Sequence, residues 1–339
     1  MENNNKLLTV SASPHIKHPD TGRSIMIDVI IAMVPALIWG VYVFGYRVLT
    51  LTALSVASCI IFEFFFQKIL KKPITVLDFS AVVTGILLAF NLPVGVDLWI
   101  PVVGAFFAIV IVKQLFGGIG KNVVNPALAA RVFLFIAWPS QMGTFSSPFS
   151  EKFSAFTVSV SDITASATPL KALKTGAAPD KSIFDMFIGN VPGCIGEVSA
   201  ALLLLGGIYL LIRKVITWHI PAAYIGTVAI ITYLAPKLSS VQSYEFMLME
   251  ILSGGLILGA FFMATDYATS PITGKGRLLY GLGCGLITIF IRYFGGYSEG
   301  VSFSILIMNL LVWYIDILTK PKVFGRTSDL INQDKGGKA

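Results

Sequence analysis

The sequence predicts an all-α polytopic membrane protein of about ten transmembrane helices, arranged as two inverted five-helix repeats with both termini in the cytoplasm. Three observations carry this prediction. Hydrophobic residues make up 55% of the 339-residue chain and charged residues only 13%, against about 25% charged in soluble domains. Apolar runs close to the length that crosses a bilayer follow one another along most of the chain. Lys and Arg divide unevenly between alternate loops. So apolar a composition excludes a disordered chain, and so few charges could not cover the surface of a soluble enzyme.

Taken in order, spans are predicted at about 25–45, 48–67, 79–96, 98–115, 123–138, 198–212, 215–235, 250–265, 278–294 and 301–318. The fifth, sixth and eighth are short or interrupted by glycine. With the N-terminus inside, seventeen of the 25 Lys and Arg residues fall on the inner side, seven on the outer side, and Arg131 within a span. That asymmetry places both termini in the cytoplasm. It also accounts for the net charge of +7 without a nucleic-acid partner, and no nucleic-acid-binding motif occurs. The polar first residues lack a charged-then-apolar signal, so no cleaved leader is expected.

Five segments follow: a cytoplasmic N-terminal segment (1–24), a first transmembrane repeat (25–138), an outer-side loop (139–197), a second repeat (198–318) and a cytoplasmic tail (319–339). The repeat rests on a spacing. Leu92-Pro93 precedes Phe116-Gly117-Gly118, and Ser270-Pro271 precedes Phe294-Gly295-Gly296, with an offset of 178 throughout. Five spans per half put the two Phe-Gly-Gly triplets on opposite sides of the membrane. The outer loop far exceeds ordinary connections, as either a tolerated insertion or the functional element.

His15, His18 and His219 show no metal-binding spacing, so no metal site is expected. Cys59, Cys194 and Cys284 lie too far apart for a metal motif and read as core thiols. Ionisable residues in or near spans are Asp28, Glu63, Asp78, Asp97, Arg131, Asp266 and Asp316, and buried charge is a functional flag. Asp28, Glu63, Asp78 and Asp316 sit near span ends, where snorkelling or pairing with flanking Lys and Arg also explains them. Arg131 lies deeper. It serves an anionic or flavin ligand, or pairs with an acid from another helix.

Two segments are more specific. Residues 116–128, FGGIGKNVVNPAL, bring Asn122 and Asn125 to a helix start with Pro126 at an early helical position. Amides that both donate and accept suit a heteroaromatic edge such as a flavin pyrimidine; capping the helix is the competing role. Residues 162–170, DITASATPL, leave the Thr168 hydroxyl among small residues with Pro169 fixing the next backbone, so Thr168 is a candidate for attachment of a bulky phosphate group.

The long strings SPHIKHPDTGRSIMIDVIIAMVPALIWGVY (13–42), GGIGKNVVNPALAARVF (117–133), ATPL (167–170) and MATDYATSPITGKGRLLYGLGCGLITIFIRYFGGYSEGVSFSILIMNLLVWYIDILTKPKVFG (263–325) resemble the NqrB/RnfD family nearly end to end. Its members are membrane subunits of the sodium-pumping NADH:quinone oxidoreductase and of the ion-translocating ferredoxin:NAD oxidoreductase, or Rnf, complex. The resemblance implies a urea-transporter-like fold and FMN joined by a phosphodiester to a threonine of the outer loop, here Thr168. The family's attachment pattern reads D-x-x-[ST]-G-A-[ST]. Asp162, Ala167 and Thr168 match it, while Ala165 and Ser166 stand where Ser or Thr and then Gly are usual, which leaves Thr164 as the fallback acceptor. A second, noncovalent flavin, riboflavin in one branch of the family, would lie near Asn122 and Asn125. Implied partners are the other Rnf subunits (RnfA, RnfB, RnfC, RnfE and RnfG), membrane lipid, and Na⁺ or H⁺, in the bacterial cytoplasmic membrane.

A chain of flavins carries electrons one at a time while the protein supplies spacing and electrostatics. In that scheme Thr168 anchors and no residue of this chain is catalytic, Lys171 and Lys174 stand beside the phosphate, and Asp28, Glu63, Asp78 or Asp266 line a cation path. The chain has no GxGxxG and no iron–sulfur cysteine spacing, so ferredoxin and NAD chemistry belong to other subunits. The competing class is a redox-inactive transporter or channel for a small solute on the same fold. A purely structural subunit is a third reading.

Overall fold

The computed structural model describes residues 21–149, 168–197, 199–238 and 241–321. Among these the regular structure is helical, without extended strands. Four helices are long and apolar enough to cross a bilayer alone: α1 (Gly22–Phe44), α2 (Arg47–Ile69), α13 (Gly274–Phe294) and α14 (Val301–Thr319). Between them lie α3 (Ser80–Phe90), α4 (Trp99–Gln114), α5 (Pro126–Ala137), α9 (Ala200–Ile212), α10 (His219–Leu234) and the pair α11 (Ser243–Leu252) and α12 (Leu256–Met263), which is bent by 64°. Short helices α6 (Pro139–Met142), α7 (Pro169–Lys174) and α8 (Ile183–Ile188) belong to the long polar segment. The protein is therefore an all-helical, polytopic membrane protein. Every predicted apolar run contains helix.

Two runs depart from uninterrupted spans. The expected 79–96 span is helical only to Phe90, because Pro93 lacks an N–H and disfavours helical backbone before it. The expected 250–265 span is two helices broken at 253–255, where Ser253-Gly254-Gly255 includes Gly254 at φ +69°. At about 1.5 Å per residue the 11-residue α3 reaches roughly halfway across an apolar layer of ~30 Å. Exposed carbonyls at such breaks need partners in place of water. Buried arginines supply them: Arg47 donates to Val94 O (3.0 Å) and Val96 O (2.7 Å), and Arg292 to Glu250 O (2.6 Å) and Ser253 O (3.3 Å).

The helix starts follow local chemistry. Thr21 and Ser24 form a reciprocal capping box on α1, and Asn125 accepts from Ala127 N (3.0 Å) and Leu128 N (3.3 Å) to cap α5 ahead of Pro126. Packing then joins the halves: α2 lies on α3 and α10 on α13, while α1 against α9 and α5 against α14 link early and late helices. Small residues permit the closest approaches. A Cβ on Gly85 of α3 would stand 2.7 Å from Val56 Cα of α2. One apolar cluster fills the interior, including Phe90, Tyr224 and Tyr280. All three cysteines are buried free thiols, as expected.

Candidate functional site: two cavities and a buried charge cluster

Some of the residues singled out by sequence line two separate cavities. The first, of about 260 Å³, is lined by Ser80, Lys113, Asn122, Asn125 and Asp266 between α1, α3, α5 and α12. Asn122 and Asn125 do face one space, but differently. Asn125 is committed on both sides: its oxygen caps α5 and its Nδ2 donates to Met263 O (3.2 Å), tying α5 to the end of α12. Asn122 donates to Val124 O (3.2 Å) and also hydrogen-bonds Asp266, which accepts from Thr269 Oγ1 (3.2 Å). Capping and cavity lining therefore coexist at this pair.

At one end of this cavity lies a buried polar network that the apolar pattern did not reveal. Lys113 Nζ contacts Glu63 Oε2 (2.8 Å) and Ser80 Oγ (2.6 Å), while Gln114 donates to Glu63 Oε1 (2.9 Å). Lys113 and Glu63 are 3% and 1% exposed. Lys113, one of the seventeen charges assigned to the inner side, and Arg47 and Arg292, two of the seven assigned to the outer side, are all interior. Long cations at span ends reach back to buried acceptors, which counting by position cannot detect. Asp28 pairs with Arg213 (3.2 Å) and accepts from Tyr209 (2.8 Å). Asp78 instead accepts from Ser80 N (2.8 Å) and Oγ (2.6 Å), and Asp316 from Ile272 N (3.0 Å). Among the four acids proposed for a cation path, Asp266 lines the cavity, and Glu63 reaches it through Lys113.

The second cavity, of about 210 Å³, brings together Thr168, Lys171, Arg131 and Asn91 with the rings of Tyr297 and Phe303. Tyr297 and Phe303 stack at 5.2 Å, and Phe135 meets Tyr297 edge-on at 5.2 Å. Thr168 is extended (φ −66°, ψ 150°) and caps α7 by accepting from Lys171 N at 3.3 Å. Pro169 occupies the first helical position, so it sets the entry into α7. Lys174 does not stand free beside Thr168: it donates to Gly295 O (2.6 Å) and Tyr297 O (2.5 Å). Asp162, Thr164, Ser166 and Ala167 lie outside the described residues, as do His15 and His18.

Arg131 is a hub. Its Nη1 donates to Asn91 Oδ1 (2.8 Å) and Ser302 Oγ (3.1 Å); its Nη2 donates to Glu197 Oε1 (3.0 Å) and to Glu299 Oε2. Its acidic partners come from inter-helix segments, not from another helix. Glu197 and Glu299 were missed because neither falls inside an apolar run, and only folding of their segments into the interior buries them; Glu250, at the first position of the 250–265 run, is buried on α11. A cue was present in Glu299, which directly precedes Gly300 and the α14 run.

This fold and these lined cavities define a multi-helix membrane protein with interior polar sites. A family model described as the NQR2, RnfD, RnfE family matches residues 9–325, and the chain belongs to that family. It is 50% identical over 325 residues to the D subunit of the Na⁺-translocating ferredoxin:NAD⁺ oxidoreductase complex of Acetobacterium woodii, covering 94% of this chain and 96% of the relative. It is 39% identical over 328 residues to the D subunit of the proton-translocating ferredoxin:NAD⁺ oxidoreductase complex of Clostridium ljungdahlii, with the same shares covered. The D subunit of an ion-translocating oxidoreductase complex from Stutzerimonas stutzeri is 38% identical over 327 residues, 90% of this chain and 92% of that one.

Proposed function

We propose that this chain is the RnfD membrane component of an ion-translocating ferredoxin:NAD⁺ oxidoreductase (Rnf) complex, that FMN is esterified to Thr168, and that electron flow through it is coupled to Na⁺ or H⁺ movement. The observation that carries the reading is the Thr168 cavity: a hydroxyl on its wall, the cation of Lys171, and the rings of Phe135, Tyr297 and Phe303 fit a phosphate ester bearing a flat aromatic ring. When bound there, the flavin supplies one-electron transfer. Thr168 anchors, Lys171 offers charge to the phosphate, and the ring cluster limits orientation and water. Kinship to proteins named for a sodium-translocating and for a proton-translocating complex leaves both ions open. The partners are then RnfA, RnfB, RnfC, RnfE and RnfG, and the membrane is the bacterial inner membrane with the Thr168 loop outside.

The cavity beside Asn122, at about 260 Å³, is proposed for a second, noncovalent flavin, with Asn122 and Asp266 as its polar wall. A cation path would use Asp266, which lines that cavity, before Glu63 and Asp78, which meet its lining Lys113 and Ser80, and before Asp28. Ten spans in two inverted repeats is the proposed architecture. Two contacts support it: Arg131 donates to Asn91 Oδ1 (2.8 Å) and, with its amide oriented to satisfy both ends, Asn309 donates to Thr269 O (3.1 Å). Asn309 and Thr269 each lie 178 residues after their counterparts, the offset of the Phe-Gly-Gly motif.

The test is in-gel flavin fluorescence of the denatured chain, wild type beside Thr168→Ala, from a host that makes the flavin transferase. Fluorescence lost in the mutant supports the anchor. Fluorescence that persists moves the site, with Thr164 next, and a dark wild-type band favours a redox-inactive solute transporter.

A further inference from the structure

The Arg131 cluster carries more acid than base. Its Nη2 faces Glu197 Oε1 at 3.0 Å and Glu299 Oε2, and the three side chains are 10%, 7% and 18% exposed. The two carboxyls also meet each other: their side chains are in hydrogen-bonding contact, and both Oε1 atoms converge on Gly255, lying 2.6 Å (Glu299) and 2.9 Å (Glu197) from where a Cβ there would be. Two ionised carboxylates have no proton to share across such a contact, and with Arg131 they would leave one uncompensated negative charge in the interior. The neighbouring cation does not cancel it. Arg292 approaches Glu299, its Nη2 and Glu299 Oε1 lying 3.6 and 3.7 Å from where a Cβ on Gly254 would be, but its charge is matched by Glu250 at 2.7 Å. The other facing groups are the Cys194 thiol (3.7 Å from Arg131 Nη2), Asn91, Ser302 and, across the Thr168 cavity, Lys171.

We propose that Glu197 and Glu299 are a proton-holding carboxyl pair, in which Glu197 carries one proton donated to the ionised Glu299 and exchanges it with the Thr168 cavity through Glu299. The assignment within the pair follows from their donors. Glu299 accepts from Gly255 N (2.8 Å) and from Arg131, both of which favour its anion, whereas Glu197 is more deeply buried and has, besides Arg131, the weakly donating Cys194 thiol. Glu299 is the more accessible member, so the proton enters by it. A route exists on both flanks. Glu299 lines the 210 Å³ cavity, and both acids line an adjoining cavity of about 30 Å³ with Thr168, Ser253 and Gly254. That volume holds a single water, which suffices to relay a proton. With the proton in place the Arg131, Glu197 and Glu299 set is neutral; its release leaves one negative charge facing the cavity. The inference uses only this chain's side chains and stands whether or not a flavin is attached at Thr168.

The experiment is infrared spectroscopy of the purified full chain in lipid across a pH series, in H₂O and D₂O, with Glu197→Gln, Glu299→Gln and Glu197→Ala beside wild type and thermal unfolding of each. A protonated carboxyl band should be present at neutral pH, shift in D₂O, decline reversibly as pH rises, and be absent from Glu197→Gln. Gln replaces a neutral carboxyl with a neutral amide that keeps the hydrogen bond, so Glu197→Gln should unfold at the wild-type temperature while Glu197→Ala unfolds lower. In Glu299→Gln the single remaining acid should ionise against Arg131 and the band should also vanish. A wild-type chain without the band, a band unchanged in Glu197→Gln, or a Gln variant that unfolds as readily as the Ala variant overturns the proposal, because each means that Glu197 is ionised or that another carboxyl holds the proton. All three readouts are independent of flavin.

Discussion

At the residue scale, the polar side chains of the interior act as structural ties as well as cavity walls. Asn125 caps α5 and bridges to Met263 O. Asn125→Ala loses both, and should lower stability by about 1–3 kcal/mol, read as a fall in unfolding temperature in detergent. The Lys113–Glu63 pair makes a sharper prediction. Glu63→Ala strands a buried ammonium and should destabilise by about 3–5 kcal/mol, whereas Glu63→Leu combined with Lys113→Met should recover most of that loss; the pair of melting curves decides it. Outside the spans, the Ser182 hydroxyl and then the Asn190 amide hold the Asp185 carboxyl below its ordinary pKa. A lowered folded-state pKa means that its contribution is complete above the unfolded-state value and is lost as pH falls through the folded one. Protease resistance of the α8 segment should therefore drop at acid pH in wild type and show less of that drop in Asp185→Asn. Asn122, Asn125 and Arg131 could be picked out as wall residues because each stands out chemically within or beside an apolar run, whereas Thr168, in a polar loop, was singled out by the family resemblance. Glu197 and Glu299 were not, since an acid in a polar connection looks solvated until that connection folds inward.

At the element scale, short helices and breaks distinguish this chain from a simple bundle. α3 stops at Phe90 and α11 bends into α12, and each break exposes carbonyls that a buried arginine satisfies. Arg292→Leu removes the partners of Glu250 O and Ser253 O and also leaves the Glu250 carboxylate unpaired. It should cost more than Glu250→Gln, which keeps a hydrogen-bond acceptor for the guanidinium, and comparison of the two unfolding temperatures tests this. Close helix contact gives a second test. Gly85→Leu drives side-chain atoms into the Val56 backbone and should destabilise by about 1–3 kcal/mol, because backbone cannot move aside as a flexible side chain can. The apolar runs predicted where helices lie, with ends within a few residues except at the end of α3 and the start of α11. Run length alone did not reveal the breaks, because α3 and its following loop share one apolar composition.

At the scale of the whole molecule, the proposed orientation puts Thr175 and Lys275 on opposite sides of the membrane. In a chain whose three buried cysteines are replaced, a thiol at Thr175→Cys should react with an impermeant maleimide from outside intact cells, and one at Lys275→Cys only after the membrane is opened. Labelling of both from one side would overturn the inverted arrangement. Composition and run length by themselves determined that this is a polytopic helical membrane protein, because burial in lipid demands apolar length and backbone self-satisfaction whatever the details. The long family strings determined the kinship. Only tertiary structure decided that Lys113, Arg47 and Arg292 are interior cations, that Thr168 and Arg131 share one cavity while Asn122 and Asp266 share another, and that two acids from separate segments converge on one guanidinium. Such pairings depend on which segments fold back between helices, a long-range geometry that local composition does not encode.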